Sequence, residues 1–229
     1  MLILQDPVIS ETIACPYLSG KLCRYRYFFA LDLTAGELNE VLSHGWRKFG
    51  CYFFRPSCGD CVSCTPLRVS VQEFAPSKSQ RRVIRKNLGI EVKFAPLRCS
   101  GEIYEIYGEH SRTRFDMESS FEDFRRNFYE QSCPSLQSEY YLRGRLIAVG
   151  FLDITDEALS TVYFIYRDEY RPNSPGIYSI LREIEYARSL DLKYYYLGYS
   201  VDGNSRMSYK NSFYPHEKYL WDEGIWVNG

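Results

Sequence analysis

Residues 138–199 constrain the fold of this chain more than any other stretch. SEYYLRGRLIAVGFLDI (138–154) reads as a hairpin turning at Gly144, and ALSTVYFIY (158–166) as a third strand. PGIYSILREIEYARSL (175–190) then has a helical pattern, and KYYYLGY (193–199) returns to a strand. RDEYRPNSPGIYS (167–179) joins the third strand to the helix. A strand that feeds a loop of free backbone amides and then a helix N-terminus makes a site for an anionic or carbonyl-bearing ligand.

The first hundred residues carry two further features. RPSCGDCVSCTPLRV (55–69) spaces Cys58, Cys61 and Cys64 three apart, between WRKFGCYFFRP (46–56) and PLRVSVQEF (66–74), which read as strands. This places the cysteines at the end of a hairpin or at a sheet edge. PSKSQRRVIRKNLG (76–89) reads as a helix with Ser77 and Gln80 as a capping box and Gly89 as its stop. Lys78, Arg81, Arg82 and Arg85 fall at i, i+3, i+4 and i+7, so they share one face, and Lys86 follows them. A run of charges is most often a solvated face. This one contains no acidic partner, and its functional reading is a surface for nucleic-acid phosphates. A shorter helix is expected in TAGELNEVLSHG (34–45), with Thr34 and Glu37 as its capping box.

The chain of 229 residues has a formal net charge of −1, so attraction to nucleic acid must come from a local patch rather than from the whole molecule. The start MLILQDPVIS has no basic leader region, and no apolar run approaches the roughly 20 residues of a membrane span. A cytoplasmic protein with no membrane partner is expected. In that compartment a tight cysteine cluster points to metal or redox chemistry rather than a disulfide framework, with free buried thiols as the plain alternative. A break at residues 99–101 (Cys, Ser, Gly) suggests two domains, 1–98 and 99–229. The expected class is α+β.

Six segments, in order over nearly the whole chain, resemble the bacterial aspartate/glutamate leucyltransferases, relatives of the arginyl-tRNA-protein transferases. They are CPYLSG (15–20), RPSCGDCVSCTPLRV, SKSQRR (77–82), VYFIYRDEYRPNSPGIYSI (162–180), YYYLGY (194–199) and MSYKNSFYPHE (207–217). The resemblance implies an N-terminal cysteine-containing α/β region followed by a GNAT-like acyltransferase domain. It implies transfer of leucine from leucyl-tRNA to the N-terminal amine of proteins beginning with Asp or Glu, marking them for N-degron degradation. No organic cofactor is implied. Cys15 joins Cys58, Cys61 and Cys64 as the ligand set for zinc or an iron–sulfur cluster. Cys23 and Cys51 are additional to the family pattern, and Cys99 and Cys133 are expected to pack as small apolar side chains.

Carried onto this sequence, the resemblance places Lys210, Tyr209 and Glu217 at the reacting centre, with Lys210 also a candidate for reading an acidic acceptor. Arg55, Arg68 and Arg206 are candidates for the acceptor pocket. Lys78, Arg81, Arg82, Arg85, Lys86 and Arg171 are assigned to tRNA, and the protein is expected to act as a monomer. A nucleophilic cysteine that passes the acyl group through a thioester is a sharper alternative, though no histidine or other base pairs with a cysteine in sequence. Three other functions share parts of the pattern: an arginyl-tRNA-protein transferase, a coenzyme A-dependent N-acetyltransferase and a non-catalytic adaptor for RNA or protein N-termini. Donation of arginine, binding of coenzyme A and tRNA binding without turnover would mark them in turn.

Overall fold

A computed structural model describes residues 1–118 and 120–229. The chain starts with β1 (Leu2–Ile9), then a small two-stranded arm, β2 (Ile13–Ala14) and β3 (Leu22–Cys23), before β4 (Tyr25–Leu31). Helix α1 (Ala35–Ser43) begins at the expected capping box: the Glu37 amide donates to Thr34 Oγ1 and the Thr34 amide donates to the Glu37 carboxylate. Its Leu38 and Leu42 are buried beside Phe28, Ala30 and Phe53. Strands β5 (Arg47–Phe49) and β6 (Tyr52–Pro56) complete a sheet in the order β1-β4-β6-β5.

Two sequence expectations change here. Residues 46–56 form a hairpin rather than one strand, because the chain turns at Gly50, whose φ of +53° favours glycine. The following strand, β7 (Cys64–Ser70), does not pair with β6 but enters a second sheet, so the cysteine loop crosses between sheets instead of ending a hairpin.

Helix α2 (Lys78–Lys86) and β8 (Ile90–Pro96) follow, then α3 (Gly101–Phe115) and α4 (Phe121–Phe128). The hairpin β9 (Ser135–Leu142) and β10 (Arg145–Ile154) turns at Arg143 and Gly144, both with positive φ. Strand β11 (Ala158–Tyr166) leads through a 3₁₀ turn (Asp168–Asn173) into α5 (Pro175–Ser189) and β12 (Tyr194–Val201). A second 3₁₀ turn (Ser208–Ser212), β13 (His216–Leu220) and β14 (Ile225–Asn228) end the chain.

The large sheet runs β14-β13-β7-β12-β11-β10-β9-β8. Helix α5 covers it with Ile180, Leu181, Ile184 and Ala187 against Leu67, Val69, Leu159 and Leu197. A separate cluster packs α3 and α4 onto the sheet, with Ile103, Ile106, Phe124 and Phe128 meeting Val149, Phe151 and Ile165. Each such fully buried side chain contributes roughly 1.5–3 kcal/mol. The class is α+β, as expected. The expected boundary after residue 98 falls between strands of one sheet, since β7 and β8 come from before it and the other six from after it. Among the described residues no helix is long and apolar enough to cross a membrane.

Strands β11 and β12 are joined through α5 and are the parallel neighbours of this sheet; the rest of its pairs are antiparallel. They pair only at Ala158 with Tyr194, Leu159 with Tyr195 and Ser160 with Tyr196. Beyond that β11 stays paired with β10 and β12 with β7, so the two strands part and no longer pair with each other.

Candidate active site

Two cations occupy the point where β11 and β12 part. Arg47, from β5, donates Nη1 to Ser160 Oγ at 2.8 Å and Nη2 to the Thr161 carbonyl, at the end of the paired stretch of β11. Lys210, from the second 3₁₀ turn, donates Nζ to the Tyr199 carbonyl of β12 at 2.9 Å. Gly198 lies between them with φ +78°, where the β12–β7 register shifts. A methyl group on Gly198 would lie 3.5 Å from Lys210 Nζ and 3.6 Å from Arg47 Nε and Nη2. Burial lowers the Lys210 ammonium to about 7, and the adjacent Arg47 charge acts in the same direction.

Below the parting, Glu183 of α5 is fully buried. Its carboxyl accepts from Ser138 Oγ at 3.2 Å, from the Tyr140 hydroxyl at 3.4 Å and from the Tyr195 hydroxyl. Burial raises its pKa to about 7 despite these donors. Tyr209 is exposed at 36%, and desolvation of its ring and then the Glu183 carboxyl push its hydroxyl up to about 12.

The other residues expected at the reacting centre or the acceptor pocket are held elsewhere. Arg68 forms an ion pair with Glu217, its guanidinium lies 3.7 Å from the centre of the Tyr194 ring and 4.3 Å from that of Trp226, and it donates to the Tyr196 hydroxyl. Arg68 and Glu217 thus satisfy each other in a packed aromatic setting. Arg55 lies over the Trp46 ring at 4.7 Å and borders the cysteine pocket. Arg206 is exposed in the segment before the second 3₁₀ turn.

The structure brings Cys15, Cys58, Cys61 and Cys64 to one pocket of about 270 Å³, together with Cys23, Lys21, Arg26 and Arg55. The β2–β3 arm reaches this loop because the Ser57 amide donates to the Arg24 carbonyl and Asn204 Nδ2 donates to the Tyr17 carbonyl. The thiols differ in environment. The Ser63 hydroxyl and amide lower Cys61, whereas burial and then the neighbouring Cys15 push Cys64 up to about 12. Among the described residues no three His, Cys, Asp or Glu side chains converge in a group that could hold a metal ion. As placed, the donors do not fit zinc or an iron–sulfur cluster. Cys133 is buried 3.6 Å from Asp153, as expected of a packed thiol, but Cys99 is exposed.

Helix α2 starts at the expected Ser77–Gln80 capping box and ends at Asn87, two residues before the expected glycine. Lys78, Arg81, Arg82, Arg85 and Lys86 are all exposed. Lys86 Nζ donates to the Pro172 carbonyl at 2.7 Å and Asn87 Nδ2 to the Asn173 carbonyl at 3.0 Å. The basic helix is thereby fixed to the turn that carries exposed Arg171 and leads into α5.

A family profile described as "Arginine-tRNA-protein transferase, C terminus" matches residues 100–220, and its N-terminus counterpart matches residues 13–82. The chain belongs to the arginine-tRNA-protein transferase family. Aspartate/glutamate leucyltransferases from Campylobacter jejuni strain 81116 and from Chromobacterium violaceum are 34% and 32% identical to this transferase. The first match covers 89% of this chain and 88% of its relative, the second 88% and 85%. In fold, the transferase is similar to the C-terminal domain of a lysylphosphatidylglycerol synthetase from Agrobacterium fabrum. The TM-score is 0.52 at 10% identity, over 88% of this chain and 65% of that one. It is also similar to FemX, with a TM-score of 0.50 at 10% identity over 93% and 84%. It thus shares its fold with these two proteins.

Sequence reading of this transferase missed Arg47 and Glu183. Each left a signal. Arg47 is a cation inside the aromatic run WRKFGCYFF, and Glu183 falls at i+3 from Ile180 and i−1 from Ile184 on the apolar stripe of α5. A charge on a buried face needs partners, and the strand pairing that supplies them is visible only in three dimensions.

Proposed function

We propose that this transferase moves leucine from leucyl-tRNA onto the N-terminal amine of proteins that begin with Asp or Glu. The observation that carries the reading is the parting of β11 and β12 over Arg47 and Lys210, on the same chain as an exposed basic helix. The ester is proposed to lie where the strands part, beside the carbonyls that Arg47 and Lys210 hold. The helix, with Arg171, offers sequence-independent contacts for tRNA phosphates.

In the reaction the neutral acceptor amine attacks the ester carbonyl carbon. A C–N bond forms and the C–O bond to the ribose breaks; the amine gives up a proton and the ribose oxygen gains one. The ester is already activated, so holding amine and carbonyl in line supplies much of the acceleration. Tyr209, which feels the charge of the Glu183 carboxyl, is assigned to the proton route, and Lys210 to the acceptor side of the cleft. The pairing of Arg68 with Glu217 supports a framework role for both. Arg55 and Arg206 are assigned to the approach of the acceptor chain.

The protein is proposed to act as a cytoplasmic monomer, with its products entering N-degron degradation, and the division at residues 98 and 99 is proposed as a boundary in sequence only. The four cysteines that share the pocket are the set on which zinc or an iron–sulfur cluster is proposed to form, after local rearrangement. Metal analysis of protein purified without oxygen checks this, and protein free of zinc, iron and sulfide excludes it.

The functional reading is tested by transfer of radiolabelled leucine or arginine from charged tRNA to a peptide beginning with Asp, with an N-terminally blocked peptide as control. Leucine incorporation into the free peptide alone is expected. Arginine incorporation reassigns the donor, and incorporation of neither overturns the reading.

A further inference from the structure

We propose that Arg47 and Lys210 together form the subsite that holds the side-chain carboxylate of the acceptor's N-terminal residue. The inference rests on the transferase reading for the identity of the acceptor, and on the geometry of the cleft for everything else.

The two half-buried side chains come from β5 and the second 3₁₀ turn, and they meet over Gly198 of β12. A methyl placed on that glycine would stand 3.5–3.6 Å from nitrogens of both. Gly198, whose φ of +78° favours glycine, marks the point that both cations approach. Their present partners are all neutral: Ser160 Oγ and the Thr161 carbonyl for Arg47, and the Tyr199 carbonyl for Lys210. Among the described residues neither forms an ion pair, although thirteen ion pairs are found elsewhere in the chain.

Capping the carbonyls that the parted strands release would require only neutral donors. Two half-buried positive charges side by side repel each other and lose part of their hydration, and an anion between them offsets both costs. The nearby carboxylate of Asp153 acts on Arg47 from beyond ion-pairing distance, while it pairs directly with the β5 neighbour Lys48 at 3.0 Å.

The chemistry of the occupant follows from this setting. A phosphate within a polynucleotide must bring its neighbours with it, and the exposed cations of α2 are more open to such a chain. A side-chain carboxylate on the first residue of a chain is a small terminal anion on a short tether. It can enter the crotch of the cleft while the α-amine, only a few bonds away, stays beside the parted strands. The guanidinium fork of Arg47 suits a two-oxygen acceptor, and Lys210 adds a point charge.

The test measures binding and transfer separately. Fluorescent peptides beginning with Asp or Asn, otherwise identical, are titrated into the tRNA-free protein and its Arg47→Gln, Arg47→Lys and Lys210→Met variants. Wild type is expected to bind the Asp peptide roughly tenfold or more tightly than the Asn peptide, and Arg47→Gln and Lys210→Met to lose most of that preference. Arg47→Lys, which keeps the charge but not the fork, is expected to retain part of it. KM for leucyl-tRNA is expected to stay within about twofold of wild type in the variants. Equal binding of the two peptides by wild type overturns the subsite whether or not the variants fold. So does a preserved preference in folded variants with only kcat reduced, while a rise confined to KM for leucyl-tRNA assigns the cations to tRNA instead. If Arg47→Gln does not fold, Lys210→Met, which gives up a single hydrogen bond, decides by itself. Absence of leucine transfer by wild type with a clear Asp preference in binding would overturn the functional reading and leave the carboxylate subsite standing.

Discussion

Lys86, in the last turn of α2, donates to the carbonyl of Pro172 across 2.7 Å and so locks the basic helix to the turn that opens α5. The exposed cations of α2 therefore stand at a fixed place relative to the helix that joins the two parted strands.

Reversing charge at two exposed positions of that helix, Arg82→Glu with Arg85→Glu, is expected to raise KM for leucyl-tRNA at least tenfold at moderate salt. KM for an Asp peptide at saturating tRNA should change little. The slope of log affinity against log salt should become shallower by roughly 0.7–0.9 for each phosphate that the helix no longer neutralises. Unchanged tRNA affinity would show this face to be merely solvated.

Lys210 gives stability a pH dependence with a definite sign. Its folded pKa of about 7 lies below its ordinary 10.5, so between these values the unfolded chain binds a proton that the folded one has shed. Stability should rise with pH across that window by up to roughly 1.4 kcal/mol per pH unit, and this group should add no slope below pH 7. The difference in unfolding free energy between wild type and Lys210→Met isolates the effect. A flat difference curve from pH 7 to 10 would contradict it.

Glu183 acts in the opposite sense. Its pKa is raised from 4.5 to about 7, so between these values the folded chain keeps a proton that the unfolded chain has lost, and stability should fall as pH rises through the window. Glu183→Gln is expected to remove that fall while keeping a hydrogen-bonding side chain. Glu183→Ala removes the acceptor of the Ser138 and Tyr195 hydroxyls, leaves Tyr140 only the Ser179 carbonyl at 3.5 Å, and should cost roughly 2–5 kcal/mol in denaturant melts.

The thiols should separate by rate. Cys61 is lowered by its Ser63 contacts, while Cys23, Cys51, Cys64, Cys99 and Cys133 are all raised. Brief alkylation with iodoacetamide at pH 7, read by peptide mass spectrometry, should modify Cys61 ahead of those five. Ser63→Ala should narrow the gap, and earlier modification of Cys64 would show that the loop is arranged differently.

Local chemistry in the sequence carries the helices well. The Thr34–Glu37 and Ser77–Gln80 capping boxes are both present, and the Gly144 hairpin, β11, α5 and β12 lie where periodicity and turn residues place them. Pairing between distant strands is harder to read. Nothing local in PLRVSVQEF shows that β7 will lie between β12 and β13, and the turn at Gly50 is masked by aromatic residues on either side. The same limit applies to the site. Lys210 and the cysteine set come from motifs, whereas the value of Arg47 depends on where β11 and β12 separate, a property of tertiary packing.

The place of β7 has a consequence for how the polypeptide is made. It ends at Ser70, yet its flanking strands begin only at Tyr194 and His216. During synthesis β7 emerges long before either partner, so the eight-stranded sheet cannot close until nearly the whole chain has left the ribosome. The cleft, whose β12 wall leans on β7, is then among the last parts to form, and shortened or stalled chains would lack it altogether.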